Sequence, residues 1–85
     1  MPSTLIYSSR ALRDLKALPQ QDRERIVSAL EEIINEPGAH TRKLEGSPLF
    51  SFRVGEYRIL LDIRRNTLLI LVVGVGHWRT IYQRV

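Results

Sequence analysis

The sequence contains no cysteine, which excludes disulfides, thiolate metal sites and cysteine nucleophiles. Histidine is scarce as well. His40 and His77 are the only two, and neither stands among carboxylates at metal-ligand spacing. No G-x-S-x-G elbow offers a serine nucleophile. Gly74-Val-Gly76 is too short to act as a glycine-rich phosphate loop. No apolar run approaches the ~20 residues that span a bilayer. The segment Met1-Pro-Ser-Thr-Leu-Ile-Tyr7 has no basic stretch ahead of an apolar one, so no secretory leader is expected there. Redox chemistry leaves the compartment open, and the cytoplasm is the default. No cofactor is expected.

Lysine is nearly missing too. Eleven of the thirteen basic residues are arginine, and only Lys16 and Lys43 are lysine. The planar guanidinium matches phosphate oxygens bidentately, whereas an ammonium acts as a point charge. The charge is also uneven. Residues 1–41 carry net −1 and residues 42–85 carry net +5, for a total of +4. A basic, arginine-rich second half points to nucleic acid or another polyanion.

Eighty-five residues make one domain with a single modest core, spanning residues 1–85. Thr4–Tyr7 reads as a short strand. Ser8 or Ser9 suits a helix cap. A first helix follows over about residues 10–18, with Ala11, Leu12, Leu15 and Leu18 on one stripe. Pro19 begins a second helix that reaches about Asn35, where Ile26, Val27, Leu30, Ile33 and Ile34 keep the helical period. Glu36-Pro37-Gly38 stops it, and a loop of about ten residues follows. Three strands are expected over about residues 49–54, 57–64 and 67–75. The last is apolar on both faces, as a central, doubly covered strand is. Gly74 and Gly76 should loosen its end. The order is β-α-α-β-β-β. It predicts an α+β fold, with two N-terminal helices packed on one face of a mostly antiparallel four-stranded sheet and the other face open.

The stretch Phe50-Ser-Phe-Arg-Val-Gly-Glu-Tyr-Arg58 carries the most information. Gly55-Glu56 between alternating apolar runs predicts a two-residue type II′ hairpin. Val54 then pairs with Tyr57, and Arg53 with Arg58. Phe50, Phe52, Val54, Tyr57, Ile59, Leu61 and Ile63 share the core face. Ser51, Arg53, Arg58 and Asp62 share the other. Two arginines directly opposite each other cost roughly 0.2–1 kcal/mol. Asp62 lies four residues from Arg58, roughly 13 Å at about 3.3 Å per residue, too far to neutralise the pair. A like-charge pair kept at a cost points to an anion between its members, and phosphate is the obvious one. With Arg53 and Arg58, the candidates for chemistry are His77, Arg79 and Tyr82. Arginines that stabilise charge on phosphorus, beside an imidazole or phenol that moves protons, suit phosphoryl transfer on RNA. Trp78 reads as a core or partner-contact residue.

At this point the chain resembles the RelE/ParE superfamily of type II toxins, and more the RelE branch. The resemblance covers nearly the whole chain. It rests on Leu44-x-Gly46, on Arg53-Val-Gly55-Glu-Tyr57-Arg58 before an apolar strand, and on Val75-Gly76-His77-x-Arg79 closing with Ile81-Tyr82. Arg13-Asp14-Leu15 and Leu18-Pro19 in the helices fit as well. The resemblance implies a ribosome-dependent mRNA endonuclease, with the ribose 2′-OH as nucleophile, held silent by an antitoxin. Arg58 would stabilise the pentavalent phosphate, with Arg53, Arg79, Tyr82 and His77 as the other catalytic residues. Arg42, Lys43, Ser51, Arg53, Arg64 and Arg65 are the candidates for contact with RNA or ribosome. A phenol is a weak base at neutral pH unless cations favour its ionised form, a role the resemblance would leave to Arg58 and Arg79. Many relatives carry a basic residue where this chain has Ser51, so one contact is expected to be missing or to come from Arg42 or Lys43. Val85 follows Tyr82 closely, leaving little room for a C-terminal helix. The expected partners are a small, DNA-binding antitoxin with an acidic tail, the ribosome and mRNA. Two other functions fit the same superfamily: a ParE-like toxin that poisons gyrase without cutting RNA, and an inactive relic that binds antitoxin and represses its operon.

Overall fold

The computed structural model describes residues 3–84; Met1 and Pro2, at the head of the segment read for a leader, lie outside the described residues. The elements run β1 (Thr4–Tyr7), α1 (Ser9–Lys16), α2 (Gln20–Glu32), α3 (Pro37–His40), β2 (Arg42–Lys43), β3 (Phe50–Val54), β4 (Tyr57–Arg64) and β5 (Leu69–His77). Two 3-10 turns, Arg65–Thr67 and Ile81–Arg84, complete the chain. The strands form one sheet in the order β1-β5-β4-β3-β2. β1 runs parallel to β5, and every other pairing is antiparallel. The class is the expected α+β. Among the described residues no helix is long and apolar enough to cross a membrane.

The apolar spacing of the helices explains the core. Ala11 and Leu15 of α1, and Ile26, Leu30 and Ile33 along α2 and its cap, bury against Phe52, Val54, Ile59, Leu61, Ile70, Val72 and Val75. Ser8 caps α1: its Oγ accepts from the Ala11 amide at 3.0 Å and donates to the Val73 carbonyl at 2.9 Å. Pro19 stands just ahead of α2 as its cap, and its carbonyl accepts from the Arg23 amide.

Four differences from the sequence reading matter for the site. First, the sheet has five strands, not four. Arg42 and Lys43 pair with Ser51 and Phe50 as a two-residue edge strand, too short to show alternation. Gly46, at φ +74°, lets the chain reverse between them. Second, the loop after α2 contains a helical turn, α3, with Pro37 at its start and Thr41 Oγ1 donating to the Pro37 carbonyl at 2.8 Å. Third, β5 is central but unevenly covered. Ile70 and Val72 are fully buried towards the helices, whereas Leu71 and Val73 are only half-buried. Fourth, Gly74 and Gly76 do not loosen the strand, which continues to His77. A Cβ on Gly76 would stand 2.9 Å from Ile81 Cδ1 and 3.4 Å from Ile81 Cβ. Gly76 pairs with Arg58, so it lies on the arginine face, and Ile81 docks over it there. The arginine face is therefore not fully open. Leu60 and Ile81, 2% and 1% exposed, are buried outside the main core cluster.

Gly76→Ala is expected to destabilise the protein by about 1–3 kcal/mol through overpacking against Ile81. Ile81→Ala should make room for the added methyl, so the double variant should lose less than the two single losses combined. Urea unfolding of the three variants measures this. Strict additivity would show that Ile81 does not press on Gly76.

Candidate functional site

The β3–β4 hairpin sets the site. Gly55 has φ +59°, while Glu56 does not share a positive φ, as a II′ turn requires. The register is the expected one: Val54 opposite Tyr57 and Arg53 opposite Arg58. The Tyr57 hydroxyl donates to Asp22 Oδ2 at 2.8 Å, which ties α2 to the turn. That hydrogen bond, reinforced by burial and by the charges of Asp22 and Glu56, raises the Tyr57 phenol above its ordinary pKa. Tyr57 is a clip in its neutral form.

On the opposite face, three side chains meet at one oxygen. Tyr82 Oη lies 2.8 Å from Ser51 Oγ and accepts from Arg58 Nε at 3.1 Å. Ser51 is 8% exposed. Arg58 Nη1 is enclosed and finds no hydrogen-bond partner among the described residues. A buried, unpaired charged donor costs roughly 1–3 kcal/mol or more, so this nitrogen calls for an acceptor. Arg53 is exposed, with its Nε donating to the Gly55 carbonyl at 3.3 Å. A cleft of about 560 Å³ opens here, lined by Arg42, Ser51, Arg53, Arg58 and Tyr82 together with Ala39, His40, Thr41 and Leu44. Four cations or hydroxyls of the sequence reading thus converge on Arg58.

Other predicted residues stand apart from the cleft. The register places His77 opposite Tyr57, on the helix side of the sheet. Its Nε2 lies 3.9 Å from Glu56 Oε2, and its Nδ1 accepts from the Arg79 amide at 3.2 Å. Arg79 is exposed and lies over the Trp78 ring, 5.2 Å from its centroid. Trp78 is 44% exposed, so it is not a core residue. Lys43 Nζ donates to the Ser47 carbonyl at 3.0 Å. Arg64 pairs with Asp62 at 3.1 Å, six residues and roughly 20 Å along β4 from Arg58. Arg65 lines a separate cleft with Pro37 and Gly38. His40, for which the sequence offers no site signal, is carried to the first cleft by α3. Ser51, expected among the RNA contacts, spends its hydroxyl on Tyr82.

Residues 5–82 match the family described as the ParE toxin of type II toxin–antitoxin systems, parDE. No curated protein matches the chain. Among solved structures, the toxin–antitoxin complex RelBE2 of Mycobacterium tuberculosis contains a chain 29% identical, with TM-score 0.82, covering 91% of this chain and 99% of that one. A chain of the RelB–RelE complex of Methanococcus jannaschii is 27% identical, with TM-score 0.71 and coverage of 93% and 96%. A chain of the intact RelBE complex of E. coli is 25% identical, with TM-score 0.76 and coverage of 88% and 95%. With a family match over nearly its whole length, the chain belongs to the ParE toxin family of type II toxin–antitoxin systems, within the RelE/ParE superfamily.

Proposed function

We propose that this toxin is a ribosome-dependent mRNA endonuclease that stops translation. The observation that carries the reading is Arg58. Its Nε holds the Tyr82 phenol, and its enclosed Nη1 faces no acceptor of the described protein. A scissile phosphate supplies that acceptor. The ribose 2′-oxygen attacks phosphorus and gives up its proton, the P–O5′ bond breaks, and the 5′-oxygen takes up a proton. The products are a 2′,3′-cyclic phosphate and a 5′-hydroxyl end. Arg58 and Arg53 stabilise the charge that builds on phosphorus. Tyr82, oriented by Ser51 and Arg58, carries a proton. Arg42 contacts the RNA from the rim. Such a target places the protein in the cytoplasm.

The match to the ParE toxin family supports a second reading: a toxin that acts on gyrase and cuts no RNA. Mapping mRNA 5′ ends in cells after induction separates the two. New 5′-hydroxyl ends within codons support the nuclease. Intact mRNA together with inhibited supercoiling by purified gyrase would favour the other.

Arg58→Ala is expected to abolish growth inhibition at little cost to stability. Losing the bond to Tyr82 costs about 1 kcal/mol. Relief of the pair with Arg53 returns roughly 0.2–1 kcal/mol. The melting temperature should therefore stay within about 5 °C of the parent. A collapse of the melting temperature would make Arg58 a structural residue.

Purified protein is expected to cut mRNA held in ribosomes and to leave naked RNA intact. The cleft offers arginines and a phenol, and the ribosome supplies the in-line placement of a flexible substrate. Efficient cleavage of naked RNA in EDTA would contradict this.

The structural relatives are held in RelB–RelE complexes, which supports an antitoxin partner for this chain. Its complement to a half-chain of net +5 is an acidic segment that folds on binding. That segment masks Arg53 and Arg58 or displaces the stretch from His77 to Tyr82. Stopped-flow association across an ionic-strength series should slow as salt rises. A salt-independent rate would place the partner away from the basic face.

A further inference from the structure

Arg53 and Arg58 form the wall between two clefts, not the edge of one. The second cleft, about 340 Å³, is lined by Arg53, Arg58, Gly55, Glu56 and Trp78. Its aromatic wall is a large, exposed ring on a restrained backbone. The Trp78 amide donates to the Glu56 carbonyl at 2.9 Å, which ties it to the hairpin turn. The Thr80 amide donates to the His77 carbonyl at 3.0 Å, which closes the turn that follows β5. Packing with His77, whose ring centroid lies 6.0 Å away at 30°, and with the Arg79 guanidinium orients the indole further. Burial does not account for this tryptophan, because it is among the most exposed large apolar residues of the chain.

We propose that Trp78 is the stacking platform of a nucleobase subsite for single-stranded RNA, next to the phosphate held by Arg53 and Arg58. The inference rests on the reading of that arginine pair as a phosphodiester site. A nucleotide whose phosphate lies on the shared wall extends to either side of it. On one side it meets Tyr82 and Ser51, and on the other it meets the indole. Glu56 decides which part of the nucleotide enters the second cleft. Its carboxylate, with the side chain 81% exposed, repels a phosphate and tolerates a neutral base. The Arg79 guanidinium over the indole already shows that the ring face accepts a planar cation. A base entering the second cleft stacks on the part of the indole that lines it, and stacking is tolerant of base identity. Trp78 would thus add affinity for RNA as a polymer without selecting a sequence.

Trp78 is the only tryptophan of the chain, so intrinsic fluorescence reports on this subsite alone. The probes are a tri-adenylate, a trinucleotide of the same charge without bases, and inorganic phosphate, all at low salt. The expected result is quenching by the base-bearing trimer and little by the other two. Trp78→Leu keeps apolar bulk and removes the π-face. Its affinity for fluorescein-labelled tri-adenylate, read by anisotropy, should fall roughly 5- to 150-fold, with Trp78→Phe in between. Thermal melting checks that each variant is folded. Equal quenching by the abasic trimer, no binding of either trimer, or unchanged affinity in Trp78→Leu would overturn the proposal. The last result would assign the ring to a protein partner. Because no ribosome is involved, failure here is separate from failure to find new mRNA ends.

Discussion

A two-residue turn at Gly55-Glu56 governs this structure. Side chains alternate along a strand, so a slip of one residue would send Arg53 and Arg58 into the core and Phe52, Val54 and Ile59 into solvent. Gly55, at φ +59°, permits the turn, and Tyr57 on Asp22 holds it against α2. Every feature of the site then follows from register. Ser51 falls opposite Leu60, Arg53 opposite Arg58, and Gly76 beside Arg58 on the third strand. The last pairing leaves a place without a side chain, and Ile81 fills it. Docking of Ile81 brings Tyr82 to Ser51 and Arg58. The apolar contact positions the polar one.

A second constraint acts at the far side of β5. β1 ends at Tyr7, so β5 has no strand neighbour there beyond Val72. The N-terminus of α1 takes over. The Ser8 amide donates to the Val72 carbonyl, Ser8 Oγ donates to the Val73 carbonyl, and Asp14 Oδ2 accepts from the Val75 amide at 3.0 Å. Backbone groups that a longer β1 would satisfy are satisfied by the cap and the body of α1. The register shift at Leu60/Leu61 sits at this same level. A bulge adds twist. It carries Gly74 and Gly76 onto the arginine face, where simple alternation from Ile70 and Val72 would have placed them among the core residues.

Local patterns in the sequence were enough for the hairpin, the two main helices, the α+β class and the core stripe apart from Leu12, which was expected on it and is 47% exposed. Each depends on spacing or on a turn signal. The fifth strand was hidden because two residues carry no period. The bulge was hidden for a related reason, since Leu68-Leu-Ile-Leu-Val-Val73 is apolar throughout and gives no sign of where alternation breaks. Arg53, Arg58, Arg42, Ser51 and Tyr82 do meet. His77 leaves the group because its face depends on that hidden bulge. Arg64 and Arg65 leave it because charge alone says nothing about distance along a strand. His40 joins it through α3, a single turn that Pro37 starts and Thr41 ends, and no helical period can announce so short an element.

Ser51 has a physical reason to be a small, neutral residue. A lysine at this position would bring an ammonium next to the guanidinium of Arg58, from a backbone site where Ser51 is 8% exposed. Desolvation and like-charge repulsion would both oppose that. A serine hydroxyl fits the same space and either donates to or accepts from the phenol. With Arg58 Nε already donating to Tyr82 Oη, a donation from Ser51 leaves the phenolic hydrogen free to point into the cleft. Ser51 therefore fixes the phenol without adding a charge. Arg42, which β2 holds directly opposite Ser51 in the sheet, adds a further arginine to the lining of the same cleft.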